Sequence, residues 1–383
     1  MKYIKRIFKG LLILIILCIA LLYITDYDYI IKGVRVVYLK GHTTAYIYDH
    51  PEFENMEVAA GNQPQPWALH SDFNSVPATT TLAETNKKLG TVAFLIIKND
   101  SLWHEEYFED YGPTSQTNSF SMAKSITSAL LGKAIHDGHI KSLNQPIGDF
   151  FEQYAGDKTT VGDLSSMASG LDWQESYTSP FSVTARAYYD DDLGETILNQ
   201  KVTEAPGKSF KYLSGNTQLL GMVIEKATGK KLANYLSESF WKPMGAEHSA
   251  LWQVDDSEHQ LAKSYCCIAS NARDFARFGK LYRDFGKWNG RQLIDSSFVA
   301  SSVQARFEDS PEYGYGFWLS DHLDKNIFVM RGILGQYVIT IPEDNIIIVR
   351  LGHNKGQRTS KPFTEDFYTF VEESYEMLEG KNN

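Results

Sequence analysis

The stretch "FSMAKSITSALL" (120–131) places Ser121 three residues ahead of Lys124 at the front of an apolar-faced segment. Ala123, Ile126, Leu130 and Ala134 recur at helical spacing, and Gly138 supplies a stop, which predicts one helix beginning at Ser121. Residues three apart on a helix share a face, so the Lys124 amine can reach back to Ser121 Oγ. A serine hydroxyl is a poor nucleophile until a base takes its proton, and a lysine serves only if burial or neighbouring cations pull its pKa well below about 10.4. The free N–H groups of a helix start add the means to hold an oxyanion, with the Ser121 N–H as one donor. Spacing alone does not decide the matter. A second Ser-x-x-Lys, "SFWK" (239–242), runs into Pro243 and reads as the end of a helix.

Working outward, "TVAFLII" (91–97), the turn Lys98-Asn99-Asp100 and the return over 102–108 predict a hairpin. Near the other end, 313–319, 327–330, 337–341 and 346–351 read as four strands, the last two joined by Pro342-Glu343-Asp344-Asn345. Between them the chain reads as mainly helical over about 140–305, clearest at "TQLLGMVIEK" (217–226) and "RDFARFGKLYRDFG" (273–286), and 363–378 closes as an amphipathic helix. Strands first and last with helices between imply an α+β fold: a central antiparallel sheet flanked by helices, with an inserted helical lobe. A ligand site is then expected where lobe and sheet meet. The expected organisation is a membrane-anchor or signal segment over 1–25, an irregular lead-in over 26–85 and the main domain over 86–380.

The run "SFSMAKSITSALLGKAIHDGHIKSLNQPIGDF" (119–150) resembles the active-site helix of the serine β-lactamase and penicillin-binding-protein superfamily, and within it class C-like esterases and the 6-aminohexanoate-dimer hydrolase group. The resemblance continues, in order, through "SSMASGLDWQES" (165–176), "PGKSFKYLSGNTQLLGMVIEKATGKKLANYLSESFWKPMGAEHSALW" (206–252), "YCCIASNARDFARFGKLYRDFGKWNGRQLI" (265–294), "YGYGFW" (313–318) and "RGILGQYVITIPEDNIIIVRLG" (331–352). It implies Ser121 as acyl-accepting nucleophile, Lys124 as its base and Tyr212 as the tyrosine of the Y-x-N motif. A phenol beside a lysine ammonium is expected to be driven toward phenolate. Two departures stand out. Ser214 replaces the asparagine of Y-x-N, and Met330-Arg331-Gly332 stands where β-lactamases carry K-T-G, which shifts the cation by one residue and turns it to the other face of the strand. Gly332 leaves the backbone open, so the N–H of Ile333 can join that of Ser121 in an oxyanion hole. Ser214, Arg331, Gly332 and Tyr177 are the expected substrate-binding residues, and Tyr188, Tyr189, Asp172 and Trp173 either line the mouth or are ordinary loop residues.

The composition suits a sizeable core, with 43% hydrophobic and 13% aromatic residues in 383. A net charge of −10 supplies no basic field for nucleic acid. Lys2, Lys5, Arg6 and Lys9 precede an unbroken apolar run from Gly10 to Ile24, with no small-x-small cleavage site after it, which predicts an uncleaved anchor with residues 26 onward outside the cytoplasm. Cys266 and Cys267 are adjacent, and neighbouring cysteines rarely bridge, so they read as two small buried hydrophobes. His136 and His139 have no nearby third ligand, no G-x-S-x-G elbow is present, and the chemistry at Ser121 requires no metal or organic cofactor. The expected partners are a small ester, amide or peptide-like substrate and, through the N-terminal segment, a membrane. The rival readings are a β-lactamase or D,D-peptidase acting on cell-wall substrates, and a non-catalytic surface sensor on the same fold.

Overall fold

The computed structural model describes residues 2–380. Its strands are β1 (Asn55–Val58), β2 (Ala68–Leu69), β3 (Thr91–Lys98), β4 (Ser101–Tyr107), β5 (Thr117–Asn118), β6 (Ala250–Gln253), β7 (Ile268–Ser270), β8 (Lys287–Trp288), β9 (Arg291–Gln292), β10 (Trp318–Ser320), β11 (Ile327–Gly332), β12 (Gln336–Ile341) and β13 (Ile346–Gly352). Seven form the main sheet in the order β10-β11-β12-β13-β3-β4-β2, antiparallel except for the β2–β4 edge. The α+β architecture expected from the strand order is therefore what forms: β13, near the C-terminus, pairs along β3, setting Val349 opposite Leu95 and Arg350 opposite Phe94.

This sheet is buried on both faces, which accounts for the nearly unbroken apolar runs of β3 and β13. Ala93, Leu95, Ile97, Ile347 and Val349 join the larger core, while Phe94, Ile96, Ile346 and Ile348 meet Leu82, Phe367, Phe370 and Val371 of the helices Thr80–Leu89 and Glu365–Glu379.

Three regions depart from the sequence reading. The segment 26–85 contains the helix Tyr29–Val36, and its strand β1 pairs with β6 in a second, four-stranded sheet of order β1-β6-β7-β5. A four-residue strand is too short to announce itself without a partner about 195 residues away in sequence. The helix Ala272–Arg283 packs on β3, β12 and β13, so it belongs to the sheet rather than the lobe. Lastly, the strand expected over 313–319 is confined to β10. Gly316 takes φ +85°, and the carbonyls of Tyr315 and Gly316 accept hydrogen bonds from Ser128 Oγ (2.7 Å) and Ser125 Oγ (2.5 Å). That backbone is committed to the Ser121 helix and is lost to a ladder.

The N-terminal helix, Lys2–Ile24, has none of its residues buried.

Candidate active site

Ser121 is the N-cap of the helix Met122–His136, directly after Phe120, whose φ of +45° is costly for a bulky residue. Asn118 holds that turn: its Oδ1 accepts from Phe120 N–H at 2.8 Å, and its Nδ2 donates to Asp49 Oδ1 at 2.8 Å. β5, which carries Asn118, pairs with β7, and Ile268 N–H donates to Ser119 Oγ at 3.0 Å. The loop before β7 is thereby fixed against the start of the helix.

Lys124 Nζ lies 3.0 Å from Ser121 Oγ and donates to the Tyr265 carbonyl at 2.9 Å. Its ammonium position stands 5.1 Å from the ring centre of Tyr212 and 5.5 Å from that of Tyr265. The residue is only 2% exposed, and this burial pulls its pKa down to about 8, against an upward pull from Glu175. Burial pushes the Tyr212 phenol upward, with Ser121 and Arg331 opposing the rise and Glu175 adding to it. The expected drive toward phenolate is thus corrected: burial keeps the proton on the Tyr212 phenol, and of the two groups it is Lys124 that burial moves toward its neutral form. The arrangement supplies an amine base on the Ser121 hydroxyl and a protonated phenol beside that amine.

Ser214 and Tyr177, expected to bind substrate, and Ile333, expected in the oxyanion hole, line one narrow cavity of ≈ 90 Å³ with Ser121. Gly332 brings β11 close to the helix start, where a Cβ would lie 2.4 Å from the Ser119 carbonyl oxygen. Only glycine permits that approach, which carries Ile333 to the cavity. Arg331 turns away, as its shifted register requires. Its guanidinium packs 4.9 Å from the Trp318 ring and 5.1 Å from the Phe363 ring, and Nη1 donates to the Pro362 carbonyl.

Several neighbours of Ser121 and Lys124 escaped the sequence reading. Glu175 accepts from Ser214 N–H and Ser214 Oγ, each at 2.7 Å, and from Trp173 Nε1 at 2.8 Å. It thereby caps the helix Ser214–Thr228 and keeps a negative charge beside Lys124 and Tyr212. Trp173 is a core residue, and Asp172 holds Lys201 N–H at the surface. Tyr265 also lines the cavity; it is 4% exposed and its hydroxyl has no hydrogen-bond partner among the described residues. Cys266 lines the cavity too, and it is bonded to Cys267 in a vicinal disulfide, correcting the reading of the pair as two small unbridged hydrophobes. Cys267 adopts φ +76°, the turn that brings adjacent sulfurs together. His136 Nδ1 pairs with Asp295 at 2.7 Å, whereas His139 lies edge-on to Tyr235, so the two histidines serve different neighbours.

The family model described as Beta-lactamase matches residues 78–367. The chain belongs to the Beta-lactamase family. Among relatives in this family, the 6-aminohexanoate-dimer hydrolase of Paenarthrobacter ureafaciens is 26% identical over 286 residues, which cover 68% of this chain and 72% of that protein. Protein flp of Staphylococcus aureus is 25% identical over 158 residues, 40% of this chain and 31% of that protein's length. A Bacillus anthracis structure provisionally described as a 6-aminohexanoate-dimer hydrolase superposes with a TM-score of 0.75 at 20% identity, covering 92% of this chain and 94% of that one. A family VIII carboxylesterase gives 0.57 at 16% identity, covering 79% of this chain and 98% of the other. The Beta-lactamase fold and a serine-hydrolase family are therefore the setting of the Ser121 site.

Proposed function

We propose that this protein is an extracytoplasmic serine hydrolase that cleaves an ester or amide bond through an acyl-enzyme on Ser121. The observation that carries this reading is the buried Lys124 amine, 3.0 Å from Ser121 Oγ with its pKa pulled to about 8. In the first half-reaction Lys124 takes the Ser121 proton as Oγ attacks the carbonyl. The resulting oxyanion rests on the N–H groups of Ser121 and Ile333. Tyr212 gives its proton to the leaving group and is reprotonated from the Lys124 ammonium. Water then attacks the acyl-enzyme, its proton passing to Lys124 and on to Ser121 Oγ as the acid leaves. No step calls for a metal.

Residues 1–25 serve as the anchor in this reading. The helix Lys2–Ile24 is 23 residues long, or about 35 Å at 1.5 Å per residue, enough for a hydrocarbon core of about 30 Å. Residues 26–85 lead from it into the catalytic domain.

The position of Arg331 favours ester or amide turnover over β-lactam or D,D-peptide turnover. A guanidinium packed against Trp318 and Phe363, with Nη1 donating to the Pro362 carbonyl, is already engaged and poorly placed for a substrate carboxylate. A panel of a short-chain p-nitrophenyl ester, the corresponding anilide and benzylpenicillin tests this. The expected kcat/KM for the ester exceeds that for penicillin by about a hundredfold or more, the scale of a missing charge-assisted contact. Faster turnover of penicillin than of the ester would put the cell-wall reading first.

A further inference from the structure

Outside the N-terminal helix, nine large hydrophobic residues are exposed among the described residues, and six of them lie on just two segments: Val34, Tyr38, Leu39 and Tyr48 on one, Tyr177 and Phe181 on the other. Scattered exposed apolar side chains need no explanation, but a concentration of this kind does. Both segments frame the candidate site. Thr44 and Ala45 of the first, and Tyr177 and Ser179 of the second, line the cavity that holds Ser121.

The same two segments are locked to the point where the chain leaves the apolar helix. Asp26, two residues beyond Ile24, pairs with Arg186 Nη1 at 2.7 Å, and that guanidinium packs 5.4 Å from the Tyr27 ring and 4.8 Å from the Tyr29 ring. Tyr29 Oη donates to the Pro180 carbonyl at 3.0 Å, and the Tyr27 and Phe181 rings meet edge-on at 5.5 Å. Phe181 is four residues from Tyr177, no more than about 14 Å along an extended chain. Asp190 and Asp191 at this end are answered by Arg186 and Lys32. The mouth of the site is thus held beside the exit of the apolar helix, inside a collar of exposed tyrosine, leucine and phenylalanine. Amphipathic aromatics of this kind favour the bilayer interface.

We infer that the catalytic mouth docks on the bilayer surface and takes amphiphilic esters or amides whose apolar tail stays in the lipid. The narrow cavity receives the short group around the scissile carbonyl, and the collar carries the tail. This rests on the anchored-hydrolase reading above.

The test uses the full chain in phosphatidylcholine vesicles, with hexadecyl butyrate and ethyl butyrate compared by acid release. The two substrates share one acyl group and differ only in tail. The wild type is expected to turn over the hexadecyl ester about tenfold faster or more, since a long alkyl tail concentrates its ester in the lipid beside the mouth. Tyr38→Asp combined with Leu39→Asp is expected to preserve ethyl butyrate turnover and to remove most of that preference. An unchanged preference in the double variant overturns the docking surface. Chain that floats with the vesicles and reacts with a fluorophosphonate, yet does not favour the hexadecyl ester, overturns this inference alone. Failure to float overturns it through the anchor, and failure to react with the fluorophosphonate overturns it through the hydrolase reading.

Discussion

In the proposed mechanism Lys124 acts through its protonation state, and burial sets that state. With the pKa near 8, the amine is mostly charged at pH 6 and mostly free at pH 9, so a reaction that needs the free amine accelerates as pH rises through about 8. Replacement by methionine is expected to slow acylation by about 10² to 10⁴-fold and to flatten that rise; stopped-flow ester hydrolysis between pH 6 and 10 measures both. A steep rise surviving in Lys124→Met would assign the titration to another group. The Ser121–Lys124 pair was legible in sequence because a three-residue spacing on a helix is a local fact. The Tyr265 carbonyl that orients Lys124 was not, because it arrives from 141 residues away.

At the scale of elements, the turn carrying Glu175 and the helix beginning at Ser214 act as one unit. Glu175 raises the pKa of Lys124, so removing its charge must lower that pKa. Glu175→Gln is therefore expected to move the pH–rate midpoint below that of the wild type. The amide oxygen can keep one of the hydrogen bonds from Ser214 and Trp173, limiting the stability loss to about 1–3 kcal/mol, read by urea denaturation. A midpoint that stays put would mean that Glu175 is only a helix cap. Nothing in "DWQES" (172–176) singles out its glutamate, since the partner that gives it meaning, the N-terminus of another helix, appears only in the fold. The "YGYGFW" segment misled in the same way. Alternating aromatics suggest a strand, but the serines of the Ser121 helix claim its carbonyls.

Across the whole molecule, a second buried lysine joins the lead-in to the site. Lys263 is fully buried, donates to the Tyr188 carbonyl at 2.6 Å and lies 4.1 Å from the Phe53 ring centre. Burial, helped by Lys32, pulls its pKa to about 7. Nearby, Asp49 accepts from Tyr188 Oη at 2.6 Å, and its own burial pushes its carboxyl upward. Between about pH 7 and 10 the unfolded chain holds protons on these two lysines that the folded chain has released, so stability rises with pH across that window. The buried phenols of Tyr188 and Tyr265, held above their ordinary range, oppose any further rise above about pH 10. Lys263→Met is expected to flatten the rise and to stabilise the protein at pH 7 by about 1–4 kcal/mol, measured by urea midpoints at pH 7, 8.5 and 10. A strong loss of stability at pH 7 would instead show that the lysine's contacts outweigh its desolvation. That one sheet draws strands from both ends of the chain could be read in sequence, whereas this cluster could not, because Asp49, Asn118, Tyr188 and Lys263 have no common spacing.

The central claim is that Lys124 activates Ser121, and intact mass after exposure to a fluorophosphonate tests it most directly, with wild type, Ser121→Ala and Lys124→Met compared at pH 7 and 9. A single phosphonyl adduct is expected on the wild type, formed faster at pH 9, absent from Ser121→Ala and slowed by about a hundredfold or more in Lys124→Met. An adduct that persists in Ser121→Ala, or none on folded wild-type protein, would contradict it.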